Sequence, residues 1–93
     1  MIENLKPFIN IGPGEIIKDN LDALNWSQED LAEIMGMSVK SISHIINNKQ
    51  AVTIETARLL AKIFNTSPQL WLNLDNNYRL RLEKENDLGV LDL

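Results

Sequence analysis

Apolar residues recur at helical spacing along most of this chain, and short polar breaks divide them into five stretches. Ile17, Leu21 and Leu24 stand at i, i+4, i+7 behind Gly12 and Pro13. Proline suits a first helical position and Glu15 favours the first-turn dipole, so a helix is predicted over about 13–24. Ser27 is a good N-cap, with Asp30 three residues on as a short-armed capping box, ahead of Leu31, Ala32, Ile34 and Met35. Gly36 can take the left-handed conformation that ends this short second helix, and Ser38 caps a third only two residues later. The third helix covers about 39–47 and stops at Asn47-Asn48, asparagine being the best non-glycine residue for a left-handed turn.

Thr53 caps a fourth helix, in which Ala57, Leu60, Ala61 and Phe64 form one stripe. Ile54, Leu59 and Ile63 widen that stripe until little of the surface is polar, which predicts the central, most buried helix. Asn65 stops it, and Ser67 and Pro68 open a fifth, where Trp71, Leu74, Tyr78 and Leu82 recur at i, i+3, i+7, i+11 as far as about residue 85. Only Phe8 to Ile11 alternates, weakly, as a strand would. The class is all-α: a five-helix domain with a helix-turn-helix at its second and third helices. The expected layout is an N-terminal arm over 1–12, a helix-turn-helix domain over 13–66, and a dimerising C-terminal helix and tail over 67–93.

Length and charge refine this picture. A chain of 93 residues holds one domain, and with no cysteine it has no disulfide staple or thiolate metal site. A core this small supplies only about 3 to 5 kcal/mol, so self-association is expected. Met1 to Lys6 contains an acid and no apolar run, and no stretch approaches about 18 apolar residues, so neither secretion nor a membrane is expected and the cytoplasm fits. The net charge of −4 argues at first against a polyanionic partner, yet it is unevenly spread. Residues 1–37 carry Lys6 and Lys18 against seven acids, for −5. Residues 38–62 carry Lys40, Lys49, Arg58 and Lys62 against Glu55 alone, for +3, and the remainder sums to −2.

The positive segment contains the third helix. At about 100° per residue, Ile42, Ile45 and Ile46 share one side, while Lys40, Ser43, His44 and Asn47 share the other. That outward face is small, hydrogen-bonding and free of carboxylates. Lys40 can donate to guanine O6 and N7 in the major groove, Ser43 and His44 can donate or accept, and Val39 can meet a thymine methyl. Gln28, Ser38, Ser41, Asn47, Asn48 and Lys49 are the candidate contacts to the DNA backbone, through side chains or amides. Capping and solvation account for the same residues if DNA is absent.

At these residues the chain resembles a known family. Gly12-Pro13-Gly14-Glu15, Trp26-Ser27-Gln28-Glu29-Asp30-Leu31-Ala32, Ile45-Ile46-Asn47-Asn48-Lys49 and Thr66-Ser67-Pro68-Gln69-Leu70-Trp71-Leu72-Asn73-Leu74 look like HigA-type antitoxins. These are also called virulence-associated-protein-I-like regulators, within the phage-repressor-like (XRE-type) helix-turn-helix group. The likeness covers residues 12–82. Two positions depart from the pattern: Gly12 stands where the family often has histidine, and Asn48 where glycine commonly follows the asparagine.

The resemblance implies a homodimer that binds double-stranded DNA at its own promoter and holds a small ribonuclease toxin encoded beside it. A dimer would place two recognition helices about 34 to 36 Å apart on successive major-groove turns. Trp71, Leu74, Tyr78 and Leu82 are the candidate interface, although the same stripe could close the monomer's core. Glu15, Asp19 and Asp22 on the acidic segment would suit a basic toxin, with a strand from Asn86 to Leu93 as the other docking element. A repressor without a toxin, or the N-terminal part of a longer regulator, would use the same motifs. No cofactor and no metal is expected: there is one histidine, no Gly-rich phosphate loop and no paired ligand motif, so an enzyme is not expected either.

Overall fold

Side-chain oxygens start four of the five helices in a computed structural model of the chain, which describes the backbone of residues 11–91 and side chains as far as Lys84. The order is α1 Pro13–Leu24, α2 Gln28–Met35, α3 Val39–Ile46, α4 Ile54–Phe64 and α5 Pro68–Leu91, with no strand among the described residues. Ser27 Oγ accepts from Asp30 N–H at 3.1 Å while Asp30 Oδ2 accepts from Ser27 N–H at 2.9 Å, closing the reciprocal box at the head of α2. Ser38, Thr53 and Ser67 each accept from the backbone N–H three residues on. At the other ends, Asn25, Gly36, Asn48 and Asn65 take positive φ between 56° and 68°. Three asparagines thus do the work usually given to glycine, which their short polar side chains permit.

The core gathers one face from every helix: Ile17 and Leu21 of α1, Leu31 and Met35 of α2, the three isoleucines of α3, Ala57 and Leu60 of α4, and Trp71 of α5. Trp71 is 0% exposed, and its Nε1 donates to Thr66 Oγ1 at 2.7 Å, so the indole's polar atom is satisfied inside. Phe64 lies between Trp71 and Trp26, with ring centroids 5.9 and 6.5 Å away, and ties the loop before α2 to α4 and α5. At about 25 cal/mol per Å², burying a tryptophan contributes at most roughly 4 to 6 kcal/mol, so this one residue rivals the whole net stability of a small domain.

Three expectations are corrected. Trp71 closes its own chain's core and leaves no surface for a partner, so it drops out of the candidate interface. Ile54 is 61% exposed and α4 is not apolar all round: burial is confined to Thr56, Ala57, Leu60 and Ala61, while Glu55, Arg58 and Lys62 face solvent. Ile54 is the first helical residue, where the stripe has no partner helix beneath it. Finally, α5 continues to Leu91, past the end expected near 85, so the segment from Asn86 is helical there rather than a strand. The arm over residues 1–10 and the alternation from Phe8 to Asn10 lie outside the described residues, as do residues 92–93.

Asp75 is a residue that the sequence does not single out. It is 4% exposed on the core-facing side of α5, where Arg79 Nε donates to its Oδ2 at 3.2 Å. Its Oδ1 and the Arg79 Nη2 are buried without a hydrogen-bond partner. An acid one turn after a buried tryptophan reads in sequence as a solvated break in the stripe, and only packing reveals it inside.

Candidate nucleic-acid interface

The interface is built from a turn, a floor and a face. Gly36, at φ 68°, ends α2, and Met37 N–H closes the turn on Ala32 O at 2.9 Å. A Cβ on Gly36 would meet nothing within 4 Å, so glycine is there for its backbone angle alone. Ser38 caps α3 immediately afterwards, which holds α2 and α3 in the tight relation of a helix-turn-helix. Ile42, Ile45 and Ile46 are buried against α1 and α2 and supply the floor. Their burial turns the opposite side of α3 outward.

On that outward side Lys40 is exposed and Ser43 and His44 are half-buried, while Val39 is exposed as the first residue of the helix, off that face. No carboxylate belongs to α3, and its last turn carries His44 where a cation suits the helix dipole. The exposed carboxylates cluster instead on α1 and α2, at Glu15, Asp19, Asp22, Glu29, Asp30 and Glu33. The domain therefore has an acidic shoulder and a cationic reading edge, matching the charge division along the chain.

The six candidate backbone contacts separate into two groups. Gln28 and Lys49 have no side-chain hydrogen bond within the described residues, and the Ser41 hydroxyl accepts from Ser38 Oγ at 3.1 Å, which leaves its own proton open. Ser38 is committed to the cap and to Ser41. Asn47 Nδ2 donates back to Ser43 O at 2.9 Å and its N–H to the same carbonyl at 3.0 Å, so both kinds of donor are used within the helix. Phosphate needs donors, which favours Gln28, Ser41 and Lys49.

Asn48 is corrected outright. It is 9% exposed, and its side chain bridges the end of α3 to the start of α1. Oδ1 accepts from Gly14 N–H at 2.9 Å and Nδ2 donates to Glu15 Oε1 at 2.8 Å; the same Glu15 oxygen accepts from Gly12 N–H at 3.1 Å. Asn48 N–H donates to Ile45 O, so its donors are directed into the domain and away from DNA. Glu15 is a member of this bridge through Oε1 while remaining exposed, and Asp19 and Asp22 are exposed on α1 without such a tie. The two glycines are explained by the bridge. A Cβ on Gly14 would lie 1.9 Å from Ile46 O, and one on Gly12 would lie 2.6 Å from Asn48 Oδ1. Gly12 and Asn48, the two departures from the family pattern, are thus in contact. In the sequence Gly12 and Pro13 mark only the start of a helix; the close approach and its other side show in the packing alone.

Open grooves of about 560 and 450 Å³ run along α4, both lined by Arg58 and Leu59 and neither by an α3 residue. No described group of histidines and carboxylates could hold a metal. No described helix is long and apolar enough to cross a membrane.

A short second helix, a glycine turn and a carboxylate-free third helix seated on isoleucines define a DNA-binding helix-turn-helix module. The chain belongs to that family, the helix-turn-helix family model matching residues 17–71, and it is a DNA-binding transcriptional regulator rather than an enzyme. It is 39% identical over 80 residues to the Escherichia coli (strain K12) helix-turn-helix-type transcriptional regulator YddM, covering 85% of each chain. Among solved structures it is similar to an addiction module antidote protein of the HigA family from Coxiella burnetii, at 31% identity and a TM-score of 0.80. A Pseudomonas aeruginosa antitoxin HigA, solved with the higBA promoter, matches at 27% identity and the same TM-score of 0.80. In both cases the match covers 89% of this chain and 91% of the other.

Proposed function

We propose that this protein is a sequence-specific repressor that binds its operator as a homodimer, and that it is the antitoxin of a toxin–antitoxin pair whose ribonuclease toxin it neutralises. The observation that carries the DNA reading is the outward face of α3, where Lys40, Ser43 and His44 stand on a buried isoleucine floor with no acid on the helix. Such a face presents donors and acceptors to base edges without repelling phosphate. Lys40 reads a guanine; Gln28, Ser41 and Lys49 fix the register on the backbone. A protein with this role works in the cytoplasm, where its operator is.

The dimer is supported by the shape of α5. Its first turns bury Trp71 and Asp75, while Tyr78 and Leu82 are half-buried farther along and Leu74 lies partly exposed beside them. These three would pair two copies. The antitoxin role is supported by the likeness to HigA proteins and by the exposed acids of α1, Asp19 and Asp22, which suit a basic partner.

Fluorescence anisotropy of the purified protein on its own upstream DNA and on scrambled DNA, across ~50 to 200 mM salt, tests the reading. Salt-sensitive preference for the upstream sequence, with two copies per site, is expected. Equal weak binding to both DNAs would overturn the repressor unless the product of the neighbouring gene restores the preference. Neutralising Asp19 and Asp22 should weaken capture of that product, and unchanged capture would remove α1 as the toxin's surface.

A further inference from the structure

We propose that Asn48 is a positioning residue for DNA recognition: through Gly14 and Glu15 it sets the tilt of α3 against the rest of the domain, without touching DNA itself. The inference rests on the DNA reading above. Helix α3 is held at its start by the Gly36 turn and along its length by Ile42, Ile45 and Ile46. Apolar contacts fix how deep a helix sits but are not directional, whereas hydrogen bonds are. At the far end of α3, directional restraint against α1 comes from Asn48, whose 2.9 Å bond to Gly14 N–H and 2.8 Å bond to Glu15 Oε1 cross between the two helices.

The magnitude shows why this matters for reading bases. An eight-residue helix is about 12 Å long, so a tilt of ~10° displaces its end by about 2 Å. Productive recognition geometry tolerates about 0.5 Å. His44 and Asn47 sit at the end that would swing, one turn or less from Asn48. The bridge is also built tightly. A Cβ on Gly14 would run into Ile46 O and one on Gly12 into Asn48 Oδ1, so the start of α1 and the end of α3 meet backbone to backbone at Gly14 and backbone to side chain at Gly12, with no slack. The Gly14 bond is buried and the two bonds to Glu15 are part-buried, and polar networks of this kind rigidify the elements they join when satisfied.

The left-handed φ of 59° at Asn48 permits a clean perturbation. Asn48→Gly keeps the favoured backbone angle and deletes only the bridge. Asn48→Asp keeps the shape and the acceptor for Gly14 N–H, but turns the donor facing Glu15 into a second carboxylate oxygen. Adding Glu15→Gln to it exchanges donor and acceptor: the carboxamide introduced at position 15 donates from the place of Oε1 to the new carboxylate, giving up only the acceptor for Gly12 N–H, and the net charge equals that of the original pair.

The measurement is the ratio of Kd on scrambled DNA to Kd on the upstream sequence, for the full chain, beside Tm and the far-ultraviolet spectrum. Asn48→Gly and Asn48→Asp should lower that ratio on the order of tenfold or more, the size of losing one bidentate base contact, while the folded spectrum is retained. The Asn48→Asp/Glu15→Gln exchange should bring the ratio back to within about threefold of the original. A purely structural role would lower Tm and leave the ratio unmoved, and that result overturns the proposal. So does a folded exchange variant that stays as undiscriminating as Asn48→Asp. If the unmodified protein itself fails to discriminate, with or without its neighbour's product, the DNA reading falls first and this inference with it.

Discussion

Gly14→Ala sets two rules against each other. Alanine is the better helix former by up to about 1 kcal/mol, so propensity alone predicts a more stable protein. Packing predicts the reverse, because the added Cβ lies 1.9 Å from Ile46 O, 2.5 Å from its carbonyl carbon and 2.9 Å from Asn48 Oδ1. Ordinary carbon–oxygen contact needs about 3.3 Å, so α1 and the end of α3 must part by well over 1 Å. Neither neighbour is a flexible tip: Ile46 O is backbone in the last turn of α3, and Asn48 is held from both ends. Overpacking costs about 1 to 3 kcal/mol, and parting the helices also breaks the buried Gly14 N–H bond, for a further 1 to 3 or so.

After subtracting the propensity gain, a net loss of about 1 to 5 kcal/mol remains, centred near 3. By the per-residue average a chain of 93 residues has roughly 5 to 14 kcal/mol, above the figure for an unstapled small core, and on that scale the variant stays folded at room temperature with Tm lowered by about 12 to 24 °C. Thermal and urea unfolding followed by circular dichroism measures this, with Gly36→Ala as the control. That residue has φ 68° and nothing within 4 Å of an added Cβ, so it should lose only about 1 to 2 kcal/mol of backbone strain. A Gly14→Ala protein as stable as the original, or more stable than Gly36→Ala, would refute the close-approach reasoning.

Two further outcomes follow from the same geometry. Lys40→Ala should lose about 1 to 3 kcal/mol at one base pair and relax preference there, whereas Lys49→Ala should weaken all sequences and flatten the salt dependence by about one, both read by anisotropy on a panel of single-base operator variants. Arg79→Leu should destabilise by roughly 1 to 3 kcal/mol in urea, because Asp75 would be left buried without its cation; with the Arg79 side chain 36% exposed, this falls below the loss for a fully buried pair. The double variant Asp75→Leu/Arg79→Leu should recover most of that loss, since two apolar side chains satisfy each other where a lone carboxylate cannot.

Whatever depends on neighbours along the chain was legible in the sequence. Helix starts rest on bonds between residues three apart, and Ser27, Ser38, Thr53 and Ser67 cap where their spacing to the next apolar run requires. Helix stops rest on single residues that tolerate positive φ, and Gly36, Asn48 and Asn65, which the sequence marks as stops, are such residues, with Asn25 a fourth that it did not mark. The two faces of α3 follow from a 100° period, so the accessibility of Lys40 was legible as well, whereas Val39, seven residues before the buried Ile46, is exposed as the first residue of the helix. Which polar residues turn inward was settled by packing alone. Asp75 falls on the stripe with Trp71 and is carried into the core, where the partly exposed Arg79 pairs with it, although carboxylates are ordinarily solvated. Glu15 and Asn48 are 33 positions apart, and nothing local distinguishes a carboxamide that meets phosphate from one that joins two helices. The difference arises because α1 and α3 must approach closely to bury their shared isoleucines, and the polar groups trapped where they meet can be satisfied only by each other.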